Sequence, residues 1–273
     1  MRLAVSNIAW DVAEDAAVAA LLSRHAVDAI DVAPGKYFPR PVDATLAEIC
    51  HVREWWARRG IEITGMQSLL FGSQGLNVFG SETVRDAMLA RLEAVCRIGG
   101  LLAARRLVFG SPANRDRTGL SDTEAMATAV SFFARLGGIA ARHGVVICLE
   151  PVPQRYGSNF MTDCAETARI VDAVAHPAIR MQFDTGALTV NGEDPVAVAT
   201  VHGLQVGHVH ASEPGLVPLG DGGTDHAAMS RALRQLLPDH VVSIEMVATG
   251  DEGHLVSIER ALGVAIRHYR PDG

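Results

Sequence analysis

Residues 145–151 read VVICLEP, and that stretch decides the architecture. A continuous apolar run of small and β-branched residues suits a strand buried on both faces, as in a parallel sheet covered by helices. The run ends on a carboxylate, Glu150, and then on Pro151, which has no amide hydrogen with which to continue a ladder. A buried strand that stops at a charge delivers that charge to one end of its sheet. Three later runs stop in the same way: IRMQFD at Asp184, VGHVH at His210 and VVSIE at Glu245. The steps between the four residues are 34, 26 and 35, about one strand-plus-helix unit each. Four consecutive units therefore present Glu, Asp, His and Glu at the same end of a parallel sheet, and closure into a barrel makes them converge.

The same alternation continues on either side. LAVSNIA (3–9), DAIDVAP (28–34), IEITGMQ (61–67) and RRLVFGSP (105–112) read as strands one to four, with 205–211 and 241–246 as strands seven and eight. Helices are expected over 13–25, 43–59, 83–102, 195–202, 226–237 and 255–269. Two more start at capping-box patterns, Ser121 with Glu124 and Asp163 with Glu166, and run to His143 and to about His176. In the helix over 43–59, Leu46, Ile49, Val52 and Trp56 recur at the spacing of one buried face, and Gly60 stops it. Eight strands alternating with eight helices make a single (β/α)8 TIM barrel over 1–273. A doubly wound open sheet would carry a glycine-rich phosphate loop in its first strand-to-helix turn, where this chain has NIAWDVAED. The long loops all follow strands, where barrel enzymes build their sites. One of them, LLFGSQGLNVFGSE (69–82), is apolar enough to need something to pack over.

A hydrophobic content of 48% is ample for a large core, and a net charge of −7 argues against a nucleic-acid or anionic-membrane partner. The start, MRLAVSNIAWD, meets an acid too soon for a signal peptide, and no stretch approaches a membrane span, so a cytoplasmic protein is expected. Cys50, Cys96, Cys148 and Cys164 have no short pairing and read as reduced thiols. The adjacent Trp55 and Trp56, mid-helix and away from the site end, are read as a subunit contact.

Three carboxylates brought together repel, and each tends to hold a proton unless a cation sits among them. A divalent metal removes the conflict, the competing reading being a buried polar cluster without one. Mainly oxygen ligation with one imidazole favours Mn²⁺ or Mg²⁺, then Co²⁺, with Zn²⁺ less characteristic. His208, two residues before His210 on the same strand face, reads as a supporting or packing histidine deeper in the barrel. Lys36 and Arg155 lie in loops at the functional end, where a solvated cation is the simpler reading of each. Asn7 and Gln67, near strand ends, suit hydroxyl recognition or backbone capping. Trp10, Tyr37, Phe71 and Phe79 could wall a sugar ring, although core packing explains them equally. GDGG (220–223) lacks the setting of a phosphate loop and reads as a turn.

With CLEP, QFDTGAL, GHVHASEP and SIEM around the four polar residues, the whole chain resembles the xylose isomerase-like TIM-barrel superfamily. It is most similar to the sugar phosphate isomerases/epimerases, which include ketose 3-epimerases and inosose isomerases and dehydratases. The resemblance implies one divalent ion, manganese foremost, held by Glu150, Asp184, His210 and Glu245. It also implies that Glu150 and Glu245 act as acid and base, and that the protein is a homo-oligomer. The substrate it implies is a small sugar, sugar phosphate or keto-cyclitol. By their position in the chain, Asn7, Lys36, Gln67, Arg155, His208 and Glu213 are the candidate contacts. Two positions depart from the pattern. Ketose 3-epimerases carry a histidine three residues after the strand-six aspartate and an arginine six residues after the strand-seven histidine. Here these are Ala187 and Leu216.

Such a frame expects isomerisation or epimerisation through an enediolate stabilised by a Lewis acid, one glutamate removing a proton and the other returning it. A keto-cyclitol dehydratase and a non-catalytic ligand-binding barrel are the alternatives. The nuclease branch of the superfamily, with many histidines and a basic groove, is disfavoured by the acidic charge.

Overall fold

The computed structural model describes residues 1–270. Eight strands, all parallel, close into a barrel in chain order: β1 (Leu3–Ser6), β2 (Ala29–Val32), β3 (Glu62–Met66), β4 (Arg106–Phe109), β5 (Val146–Leu149), β6 (Ile179–Asp184), β7 (Val206–Ser212) and β8 (Val242–Glu245). The main helices around it are α1 (Asp15–Arg24), α3 (Leu46–Ala57), α4 (Glu82–Leu102), α5 (Asp122–Arg142), α6 (Cys164–Val174), α8 (Pro195–His202), α9 (His226–Leu236) and α10 (His254–Tyr269). The single (β/α)8 barrel expected from the sequence is the fold. None of these helices is long and apolar enough to cross a membrane, among the described residues.

The helices start where side chains satisfy orphan amides. Ser121 and Glu124 exchange hydrogen bonds at the start of α5, and Thr45 and Glu48 do so at the start of α3. At α6 the Asp163 carboxylate accepts from the Glu166 amide (2.7 Å), but Glu166 reaches back to Thr162 rather than to Asp163. Gly60 and Gly144 follow their helices with φ of 73° and 68°, the left-handed conformation that needs no Cβ.

Two short helices replace expected loop: α2 (Pro34–Tyr37) and α7 (Thr185–Asn191). The latter follows β6 without a break because the Asp184 carboxylate accepts from the Ala187 amide (2.6 Å). β1 is shorter than its apolar run, since Ser6 caps a single 3₁₀ turn over Asn7–Ala9. Trp56 is not a surface residue. It is fully buried, stands edge-on to Trp10 at 6.4 Å and donates its indole N–H to the Tyr37 hydroxyl (3.2 Å). Trp55 is half-buried beneath the Arg59 guanidinium, 3.6 Å from the ring centre. The four cysteines are free thiols.

Candidate metal centre

Strand order and register bring the four strand-end residues together. Asp184 closes β6 and pairs in register with His210 of β7, while Glu245 closes β8 opposite Ser212. Glu150 follows β5 directly, its amide donating to the Phe109 carbonyl of β4 (3.1 Å). Each of the four offers one ligand atom, and these atoms lie within 4.8 Å of one another. His210 turns Nδ1 into the group, 3.1 Å from Glu245 Oε2 and 3.7 Å from Glu150 Oε1. Its ring is fully buried, and the side chains of Glu150 and Glu245 remain 14% and 10% exposed.

Neighbours hold each carboxylate. Ser212 Oγ donates to Asp184 Oδ2 (2.7 Å), while the Ala187 amide takes the other oxygen. Gln67 Nε2 donates to Glu245 Oε1 (2.5 Å). Gly110, one residue past β4, leaves the space that Glu150 fills, since a Cβ there would fall on Oε2 and 2.9 Å from Cδ. The buried guanidinium of Arg115 fixes the backbone beneath by donating to the carbonyls of Glu150 (2.6 Å), Ser111 (3.2 Å) and Phe109 (3.3 Å).

The electrostatics express the crowding. Burial pushes Asp184 up to about 7, and the charges of Glu245 and Glu150 add to it. Burial likewise raises Glu150. Burial opposes charge on His210, but the carboxylates of Glu245 and Glu150 outweigh it and raise the imidazole well above its ordinary value. Arg115, the nearest guanidinium, gives its hydrogens to backbone carbonyls. One imidazolium against three carboxylates leaves a deficit of positive charge, and a divalent cation is the group that fits this donor set.

A family model described as xylose isomerase-like TIM barrel matches residues 19–270. The chain belongs to that family. Over 118 residues, 43% of this chain, it is 30% identical to an L-ribulose 3-epimerase from Methylomonas sp. (strain DH-1). That match spans 41% of the epimerase's length. Among solved structures, a D-psicose 3-epimerase crystallised in the presence of D-fructose superposes with a TM-score of 0.81 at 18% identity, over 98% of this chain and 99% of the other. A 3-keto-D-glucoside 4-epimerase from E. coli superposes with a TM-score of 0.79 at 16% identity, over 97% and 98% of the two chains. At such identities the superpositions speak for the fold.

Within this family barrel, the remaining sequence candidates occupy different settings. Gln67 touches the centre through Glu245, and its own amide oxygen is buried without a partner. His208 lies deeper, its Nε2 2.6 Å from Asp31 Oδ2. Asn7 Oδ1 accepts from the Ala33 amide (2.7 Å), and its Nδ2 is buried and unpartnered. Lys36 turns its ammonium back to the carbonyls of Asn7 (2.8 Å) and Trp10. Arg155 is exposed, above the Tyr156 ring at 5.7 Å. The Glu213 carboxylate accepts from the amides of Gly220 (2.7 Å) and Thr224 (2.8 Å) and meets His226 Nε2 at 3.0 Å. Against the effect of burial, those contacts lower Glu213 to about 2. Of the four aromatics, Trp10 and Tyr37 bond Asp15 in the interior, and Phe79 packs on Phe160 at 4.9 Å. Phe71 alone stands out into solvent, 76% exposed.

Three positioning residues were not singled out in the sequence. Asp31 is wholly buried in β2, takes hydrogen bonds from His208 and Thr64, and comes within 3.9 Å of His210 Nε2. The signal was present, since DAIDVAP places an acid inside an apolar strand. Ser212 and Arg115 gave no such signal, because both read as ordinary loop polarity.

Proposed function

We propose that the protein is a divalent-metal-dependent sugar epimerase or isomerase, acting on a small polyhydroxy carbonyl compound. Glu150, Asp184, His210 and Glu245 hold the cation, with Mn²⁺ preferred over Mg²⁺ and Co²⁺ and Zn²⁺ least suited. The observation that carries the reading is the convergence of these four donors at the mouth of the barrel with two glutamates among them. A cation bound there would supply the positive charge that makes the hydrogen beside a carbonyl acidic enough for a carboxylate to remove.

The residues then divide the work. Glu150 and Glu245 project from β5 and β8, separated around the barrel by two strands, so they meet a bound molecule from different sides. One removes the proton and the other returns it. Return to the opposite face of the same carbon epimerises, and return to the neighbouring carbon isomerises. Gln67 and Ser212 hold Glu245 and Asp184 in place while charge moves. The L-ribulose 3-epimerase relationship favours proton return over expulsion of a hydroxyl, which a dehydratase would need.

Calorimetric titration of chelator-stripped protein with Mn²⁺, Mg²⁺, Co²⁺ and Zn²⁺ tests the site, alongside Asp184→Asn and His210→Ala. About one equivalent bound by the wild type and lost in both variants, with deuterium uptake into a ketose from D₂O, is the expected result. A folded wild type that binds no cation refutes the proposal.

A further inference from the structure

The centre opens into two cavities of unequal polarity. The larger, about 830 Å³, lies towards β3 and β4, where Gln67, Ser68, Gln74 and Ser111 stand among the leucines of the 69–82 loop. The smaller, about 300 Å³, lies over β5 to β7 and is walled by Pro112, Pro151, Pro153, Tyr156, Ala187 and Leu216. Glu150 and Glu245 border both, so a molecule reaching the two glutamates reaches both cavities.

The smaller cavity offers a ligand almost nothing polar beyond the metal-site carboxylates. Glu213 borders it, but both carboxylate oxygens are already taken by Gly220, Thr224 and His226. Tyr156 turns its hydroxyl to the Gly215 amide, from which it accepts (2.9 Å). The Val152 amide is bonded to the Met161 carbonyl. Leu216 is held in place on purpose-built terms: its φ is 56°, a left-handed conformation that a leucine rarely adopts. Its amide donates to the Glu213 carbonyl and its carbonyl accepts from the Val247 amide, both at 2.9 Å. With its backbone clamped at both ends, Leu216 borders both cavities.

We infer that the smaller cavity is a substrate subsite for a non-polar group. The reactant carries, on the side of its carbonyl facing β6 and β7, a methyl, methylene or aryl substituent where a simple ketose carries a hydroxyl. The inference deepens the epimerase or isomerase reading and rests on it. The cavity has room for roughly ten waters' worth of volume, enough for a ring as well as a methyl group. A hydroxyl placed there, out of reach of the metal-site carboxylates, meets little more than the Tyr156 hydroxyl, and a pocket of this kind discriminates by roughly 10–100-fold.

The test compares D-fructose with 1-deoxy- and 6-deoxy-D-fructose on the Mg²⁺-loaded protein. Binding is read by competition in saturation-transfer NMR, and turnover by deuterium uptake beside the carbonyl. One deoxy ketose should bind roughly 10–100-fold more tightly than fructose. The Ala187→His, Leu216→Arg double variant should abolish or reverse that order. Fructose binding as tightly as both deoxy compounds overturns the inference from the wild type alone, whether or not the double variant folds. A deoxy preference that survives the double variant overturns the assignment to these residues. Deuterium uptake without a deoxy preference removes the subsite and leaves the reaction standing. A deoxy preference without uptake from any ketose does the reverse.

Discussion

Replacing Gly110 by alanine should disable the candidate metal centre while leaving the barrel folded. The added Cβ would stand 2.9 Å from the Glu150 carboxyl carbon and on top of Oε2. Ordinary carbon–carbon contact is about 3.5–4.0 Å, so the carboxyl carbon must withdraw by about 1 Å and Oε2, which is closer still, by more. It cannot do so by shifting its backbone, which Arg115 and the Phe109 carbonyl hold. The side chain must therefore rotate away from the other three donors. Disturbing the support of a ligand costs roughly 10–100-fold in metal affinity, and displacing the ligand itself falls at the upper end or beyond. Stability should change little, because Gly110 has no left-handed backbone and alanine restricts the unfolded chain by about 0.4–1 kcal/mol. Calorimetric titration with Mn²⁺ beside a denaturant unfolding curve measures both quantities. Wild-type affinity in a variant of wild-type stability would refute the placement of Glu150 against β4.

The neighbouring helix glycines of α5 should respond with opposite signs. Gly138→Ala meets nothing within 4 Å and should gain about 0.5–1 kcal/mol, whereas Gly137→Ala meets the His176 ring at 2.6 Å and should lose stability, both read from denaturant midpoints. Trp56→Ala should cost about 3–5 kcal/mol, as expected of a large core side chain and not of a surface contact. Glu213 has its folded pKa depressed from 4.5 to about 2, so its contribution is present above pH 4.5 and is lost as pH falls towards 2. Midpoints measured at pH 5, 4 and 3 should fall less steeply for Glu213→Gln than for the wild type. Tyr269→Phe removes the hydroxyl 2.6 Å from His226 Nδ1 and should cost about 1–3 kcal/mol by leaving that buried nitrogen unpaired.

The strands were legible because a parallel sheet covered on both sides leaves unbroken apolar runs, and the polar residue that ends a run marks the mouth of the barrel. Asp184, His210 and Glu245 were found that way, and strand order alone then determined which of them would be neighbours. Asp31 escaped notice for the complementary reason, since it sits within its strand and not at the tip, and a period-based reading treats a lone acid there as noise. α7 was missed because its cap is Asp184 itself, a residue whose evident chemistry distracted from its position at a helix start. Trp56 was read correctly as part of the buried face of its helix but also as a subunit contact, which its full burial excludes, because helical spacing does not say how deep the neighbouring layer reaches. Arg115 finds its partners among carbonyls brought together only by folding, from residues as distant as Glu150. Lys36 looked free in the chain and is bound to the turn after β1 in three dimensions.

The strand that carries the last of the four proposed ligands is also the strand that shuts the barrel. β8 pairs with β7 through Ser212 and Glu245, and with β1 through Leu3 and Val242, 239 positions apart in the chain. On a growing chain, Glu245 emerges after the other three donors, and β1 waits through the whole synthesis of the barrel for its partner. A full grip on the proposed cation would therefore be an event of late biogenesis, coincident with the slowest long-range pairing in the molecule. Once made, that grip opposes unzipping at one seam. Amide exchange at Val5 and Ile244 should slow with added cation more than exchange at the β3–β4 pairing on the other side of the barrel.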